Sequence, residues 1–353
     1  MTELIRKALL VCSACILLLG AGCNSNQGQS STVKLTGAGS SFVFPIMGRW
    51  IADFQKSNQV EINYQSIGSG GGIEQLRQGT VDFAASDAAL SDEQLKTMPP
   101  LIQVPESAGP VCITYNLPSL KEPLKLSPET LAGIFLGTIK DWQDKAIAKD
   151  NPGMTLPKVS IVVAHRSESS GTTSIFTNYL DKVSPEWHKK IGKGLNVSWP
   201  AGMGGKGSEA VTGLVKQGVG GIGYVELTYA SQNNLPTVLI RNKAGKWVGP
   251  SAESASAAIA AFDKELRQDV RTPIVDPPAS APDAYPISGL TFLFIPKEAK
   301  DPTKGQDLQK FVQYVIASGQ ASAVELHYAP LPASLQQLDQ QLLAGIGAKT
   351  GGS

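Results

Sequence analysis

The chain has 353 residues, 42% of them hydrophobic and 17% charged, with a net charge of +1 at pH 7. That length suits two lobes of ordinary size better than one compact core, and the apolar content excludes bulk disorder. Lysines and arginines are scattered, so nucleic acid is not an expected partner, and any anion site has to be assembled locally.

In chain order, Arg6 and Lys7 precede the apolar run Ala8 to Leu19, which has the charge and length of a signal peptide over residues 1–22. Gly20-Ala21-Gly22-Cys23 resembles a lipobox, with Gly20 where such boxes usually carry Leu. Cys23 is therefore the expected lipidated residue of a protein anchored in the periplasm, and residues 23–32 its polar tether. Cys12 and Cys15 leave with the signal, and Cys112, in the apolar run Val111 to Tyr115, is expected to be a buried, inert thiol. Neither a disulfide nor a metal framework is expected.

From Val33 onward, short apolar strands alternate with amphipathic helices, the α/β pattern. Val33 to Thr36 reads as a strand, and Val43, Ile46, Met47, Trp50, Ile51 and Phe54 then mark one face of a helix. Val60 to Tyr64 alternates as a strand, and Ser91 with Gln94 spells a capping box. Val159 to Ala164 reads as a strand and Ile175 to Leu180 as helix. Leu308, Phe311, Val312, Val315 and Ile316 line a late helix that Gly319 is expected to cap. Chain crossings between lobes are expected in Pro105 to Pro110 and Pro273 to Pro286.

Three segments share one design of strand, small-residue turn and helix: Gly37 to Phe42, Gly68 to Gly72, and Ser169 to Thr173. Each presents backbone N–H groups and hydroxyls at a helix N-terminus, which favours anions. Arg166, beside the third turn, has a fork suited to two oxygens of a tetrahedral anion. Nucleotide motifs fail. Gly218 to Gly223 fits G-x-G-x-x-G by letter but follows helix and precedes strand, and Gly205-Lys206 lacks the rest of a P-loop. Among His165, His188 and His327 no catalytic or metal-ligand spacing occurs, and alternation turns His165 to the opposite side of its strand from Arg166. Trp142, Trp187 and Trp199 are expected to pack in the core or on a lobe surface.

With LTGAGSSF, YQSIGSGGGI, VDFAASDAALSD, IFLGTIKDWQDKAI, HRSESSGTTSIF, WPAGMGGKG and GGIGYVE in order, residues 33 to 340 resemble the phosphate-binding component of bacterial phosphate-specific ABC transporters. The resemblance implies a two-lobe α/β periplasmic binding protein of the class II type, with mixed five-stranded sheets flanked by helices and a ligand cleft between lobes. Lobe 1 would comprise 33–110 and 285–345, lobe 2 residues 111–284, and 346–353 a C-terminal tail. It further implies that Ser40, Ser41 and Phe42 donate backbone N–H groups to phosphate, that Ser41 and Ser69 add hydroxyls, and that Arg166 supplies the cation. Ser170, Gly171 and Thr172 would form a nest at a helix terminus, and Asp87 would accept a hydrogen bond from a protonated phosphate oxygen. Glu168 stands where many members carry Asp. The implied partners are inorganic phosphate and the permease subunits with their ATPase, the protein itself being a monomer without cofactor or catalysis. The alternatives are a receptor for another oxyanion such as sulfate, a secreted phosphate-ester hydrolase and a structural envelope lipoprotein. Asp87 argues against sulfate, because a carboxylate repels a dehydrated anion that brings no proton.

Overall fold

The computed structural model describes residues 32–344. The expected signal peptide, Cys23, most of the tether and the C-terminal tail lie outside the described residues. The strands are β1 Val33–Gly39, β2 Val60–Ser66, β3 Phe83–Ser86, β4 Leu101–Tyr115, β5 Lys125–Leu126, β6 Val162–Arg166, β7 Met203–Gly205, β8 Gly221–Glu226, β9 Leu239–Arg241, β10 Trp247–Val248 and β11 Ser288–Pro296. They form one eight-stranded array in the order β2-β1-β3-β11-β4-β8-β6-β7 and a small sheet β10-β9-β5.

The array is two sheets sharing β4, whose 15 residues pair with antiparallel β11 from Leu101 to Pro110 and with antiparallel β8 from Val111 to Tyr115. β1 runs parallel to β2 and β3 in the first sheet, and β6 parallel to β7 and β8 in the second. The first sheet has the five strands expected. The second has four, and the Pro236 to Val238 segment takes the fifth place beside β4 through an isolated bridge from Thr114 to Thr237. Prolines belong at bulges or strand ends because they lack an N–H. Pro105 accordingly borders a register shift opposite Thr291 and Phe292, and Pro110 sits where β4 changes partner. Through the Pro105 to Pro110 segment the chain thus passes from the first sheet to the second as one continuous strand.

Alternation along β11 serves both faces of the first sheet. Leu293 and Ile295 face one apolar cluster, Leu290, Phe292 and Phe294 the other. On the first face lies helix Phe44–Gln55, burying Ile46, Met47, Trp50 and Phe54, with Phe54 edge-on to Phe311 of helix Pro302–Ile316 at 5.3 Å. The opposite face is covered by helices Ala252–Ala261 and Asp263–Gln268, whose Ala255, Ile259 and Leu266 join Leu290 and Phe292. Residues 252–268 thus cover the first sheet, where β11 presents an apolar face. β2 buries Val60, Ile62 and Tyr64 and exposes Glu61 and Asn63. Ser91 and Gln94 form the capping box. Cys112 is buried and free, and burial pushes its thiol up.

Gly319 does not cap the late helix. That helix stops at Ile316, and Gly319 lies in the following 3-10 turn Ser318–Ser322, close against Trp50. Its carbonyl accepts the Trp50 indole N–H at 2.8 Å. Trp50→Phe should leave that carbonyl with the longer Ser322 hydroxyl bond, at 3.2 Å, in place of the indole and destabilise the fold by about 1–3 kcal/mol, seen as a lower urea midpoint at an unchanged slope.

Candidate functional site

Strands β1, β2, β3 and β6 end on one rim, and the turns that follow them meet there. Glycine makes the approach possible. Gly68 has φ +88, and a Cβ on it would lie 2.9 Å from Glu168 Cγ, while a Cβ on Gly171 would lie 2.6 Å from Ser69 Oγ and 2.7 Å from Asp87. The first-sheet and second-sheet loops are joined directly. The Gly70 N–H donates to Ser169 O at 3.0 Å, the Gly171 N–H to Ser69 Oγ at 3.1 Å and the Ser208 N–H to Ser41 Oγ at 3.2 Å.

Asp87 is the centre of this cluster. It is 4% exposed, and its carboxylate accepts the Ser40 hydroxyl from one side and the Thr172 hydroxyl, at 2.9 Å, from the other. Burial pushes its carboxyl up to about 6, against the pull of the Ser40 and Thr172 hydroxyls and the Arg166 charge. At neutral pH it is therefore an ionised, acceptor-only group.

Arg166, at the end of β6, is 3% exposed. Its Nη1 donates to Thr172 Oγ1 at 3.2 Å, while Nε donates to Glu168 Oε1 at 2.9 Å and Nη2 donates to the same oxygen. Gly207 N–H also donates to that oxygen, at 3.0 Å. Burial raises the Glu168 carboxyl, but the Arg166 hydrogen bond and charge, with backbone N–H groups, outweigh it and hold the group below its ordinary value. Glu168 Oε2 is buried without a partner among the described residues, so this carboxylate braces the guanidinium through one oxygen rather than as a two-oxygen fork.

All nine residues expected to hold an anion come together: Ser40, Ser41, Phe42, Ser69, Asp87, Arg166, Ser170, Gly171 and Thr172 are buried. Their donors differ from expectation at several points. The Ser40 N–H is bonded to Ala85 O at 2.9 Å and the Ser170 N–H to Leu195 O at 3.0 Å, so neither faces a ligand. Ser40 extends the strand pairing with β3, and Ser170 is the cap of helix Gly171–Val183, its hydroxyl accepting the Thr173 N–H. The Phe42 N–H rests on Ser40 Oγ at 2.9 Å.

Residues missed in the sequence also line the cluster. Ser208 Oγ lies 3.1 Å from Ser41 Oγ and 3.5 Å from Arg166 Nη1. Its signal was present: β7, Gly207-Ser208 and helix Gly207–Gln217 repeat the strand-turn-helix design of the three turns. Tyr229 donates its hydroxyl to Ser41 O at 2.6 Å, and Tyr328 donates to Phe42 O at 2.5 Å beside buried Glu226. Glu226, raised to about 8 by burial, caps helix Leu227–Gln232. The histidines stand apart. His165 stacks on Trp199 at 4.9 Å, His188 binds Asp181 and His327 meets Ser231. Among the described residues no cluster has the make-up of a metal site, and no helix is long and apolar enough to cross a membrane. A cavity of about 410 Å³ opens behind Asp87 towards Ser174, Asn178 and Arg271, sharing only Asp87 with the nine.

Two α/β sheets joined through a shared strand, with polar turns facing each other across one cleft, define a two-lobe binding protein, and residues 24–318 match the PBP superfamily domain. The chain belongs to the PstS family of phosphate-binding proteins. It is 45% identical to phosphate-binding protein PstS of Xylella fastidiosa over 87% of this chain and 84% of that protein. With PstS of Pasteurella multocida it shares 42% identity over 88% and 89% of the two chains. The fold also matches a solved structure described as a high affinity periplasmic phosphate-binding protein bound with phosphate, at a TM-score of 0.71 and 23% identity over 88% of this chain and 93% of that one.

Gly171→Ala should fold normally yet keep the lobes from closing, because the new Cβ meets Ser69 and Asp87 at less than contact distance. Phosphate affinity by titration calorimetry is expected to fall at least tenfold, and a value within twofold of the parent would show that the close approach is dispensable.

Proposed function

We propose that this protein is a phosphate receptor, closing its lobes over inorganic phosphate and delivering it to the membrane subunits of an ABC importer. The observation that carries this reading is Asp87, a buried carboxylate accepting one hydroxyl from each lobe beside Arg166. Phosphate near neutral pH brings a proton for such an acceptor. Sulfate brings none, and a charged acceptor left unpaired costs about 1–3 kcal/mol or more. In this reading Ser41, Phe42, Ser69, Gly171 and Thr172 donate N–H or hydroxyl groups and Arg166 pairs with two oxygens. Ser40 and Ser170 act through their hydroxyls, and Ser208 joins them.

Lobe 1 in this proposal comprises 33–110, the helices at 252–268 and residues from 285 onward, and the rest of 111–284 belongs to lobe 2. The protein works as a monomer in the periplasm, anchored through lipidated Cys23, and it binds without turnover. The placement of the three histidines supports the last point, since each is engaged away from the cluster. The permease and its ATPase are the proposed partners.

Replacing Arg166 by Ala removes the cation of the cluster. Phosphate binding should weaken by about 2–5 kcal/mol, roughly thirtyfold to several thousandfold, in equilibrium dialysis of a variant with unchanged circular dichroism.

The Asp87 reading is tested by the ratio of phosphate to sulfate dissociation constants in the parent and in Asp87→Asn. Asn keeps an acceptor for the phosphate proton and can also donate, so sulfate is the anion expected to gain. The parent should itself lose discrimination as pH falls through about 6, where Asp87 takes up a proton, and keep it above. A ratio independent of both substitution and pH would remove Asp87 as the selecting group.

A further inference from the structure

Glu106 lies within β4, where the pairing with β11 slips. Pro105 pairs with Phe292 and Ser107 with Thr291, which leaves Glu106 as the extra residue of a bulge. It is 0% exposed, and neither of its carboxyl oxygens has a hydrogen-bond partner among the described residues. Its backbone is fixed, the carbonyl accepting the Gln320 amide at 2.8 Å.

The position of this bulge is what matters. Ser86 of β3 pairs with Phe292, so continuing that register by one step sets Asp87 opposite Thr291, the neighbour of the bulge. The titratable groups that face Glu106 are Asp87 from the end of β3 and Tyr64 from β2, whose hydroxyl is donated to Ser40 O at 2.9 Å. Thr291 is the polar neighbour, with its hydroxyl donated to Ser107 O at 3.3 Å. Among these neighbours there is no cation, so burial, then the Asp87 charge, pushes the Glu106 carboxyl up to about 8 in spite of Thr291.

We propose that Glu106 is a second carboxyl of the phosphate site, held protonated behind Asp87 so that the cleft keeps one fixed negative charge at neutral pH and loses affinity when Glu106 ionises. The inference rests on the phosphate reading above. Two carboxylates behind one dehydrated anion repel it in a low-dielectric cleft. Reciprocally, bound phosphate strengthens the hold of Glu106 on its proton, so binding above about pH 8 takes up a proton from solvent. A bulge suits this role, because it leaves Glu106 out of the cross-strand pairing next to Thr291, the register position opposite Asp87.

The test compares phosphate dissociation constants of the parent and Glu106→Gln from pH 6 to 9.5 by titration calorimetry. Ionisation of phosphate affects both proteins alike and cancels in their ratio. The ratio of parent to variant constants is expected to rise at least fivefold through pH 8, with the parent taking up more protons than the variant in buffers of different ionisation enthalpy. Glu106→Leu, uncharged at every pH, should follow Glu106→Gln and serves if the amide does not fold. Binding by all proteins at a ratio independent of pH would overturn the role of Glu106 and leave the phosphate reading standing. Failure of the parent to bind phosphate at any pH would overturn both.

Discussion

The structure depends on one arrangement: a buried carboxylate, Asp87, held between hydroxyls of the two lobes without a cation in contact. A charge in such a place has to be solvated by dipoles, and Ser40 and Thr172 supply them. The nearest cation, Arg166, is bonded to Glu168 through Nε and Nη2, which prevents it from collapsing onto Asp87 and turns Nη1 to the cluster. Arg166 and Glu168 together are close to neutral, so a small change in protonation behind the site has a large effect on what it will accept. Hydroxyls and N–H groups can stabilise an anion without adding a full positive charge, and that choice makes the proton on the ligand readable.

The same logic accounts for the glycines and tyrosines around the cluster. Short donors reach a small ion only if the two loops come nearly into contact, which Gly68 and Gly171 permit by lacking Cβ. Tyr64, Tyr229 and Tyr328 then tie down the carbonyls of Ser40, Ser41 and Phe42, so the first turn is held from behind by three phenols drawn from distant parts of the chain. The turn is rigid because its acceptors are already satisfied.

Much of this was legible in the residues where the signal is local. The helix at 44–55, the alternation of β2 and the capping box at Ser91 follow from spacing alone, and the three anion turns from their small residues. The assignments of individual donors came from family resemblance, and hydrogen bonding in the fold reassigned some of them: Ser40 and Ser170 give their N–H groups to Ala85 and Leu195. Ser208 lies just past WPAGMGGKG, a segment that matches the family by its letters and fails as a nucleotide loop, and neither reading singles out its hydroxyl. Tyr328 against Phe42 and Ser208 against Ser41 are separated by 286 and 167 residues, and no local pattern records such contacts. β4 was obscured by its two prolines, which lower strand propensity but sit where no ladder N–H is required.

Strand β11 enters between β3 and β4, completing the first sheet with residues 288–296. Until that late segment arrives, β3 and β4 face each other across a vacant slot and present open backbone edges. The second sheet can form earlier, because β4, β6, β7 and β8 all lie between residues 101 and 226. A chain of this topology therefore completes its cleft only when the loop-closure entropy of bringing residue 288 back to residue 110 has been overcome. Any state in which β11 is undocked leaves open edges on β3 and β4, and that makes it the form most exposed to misassociation.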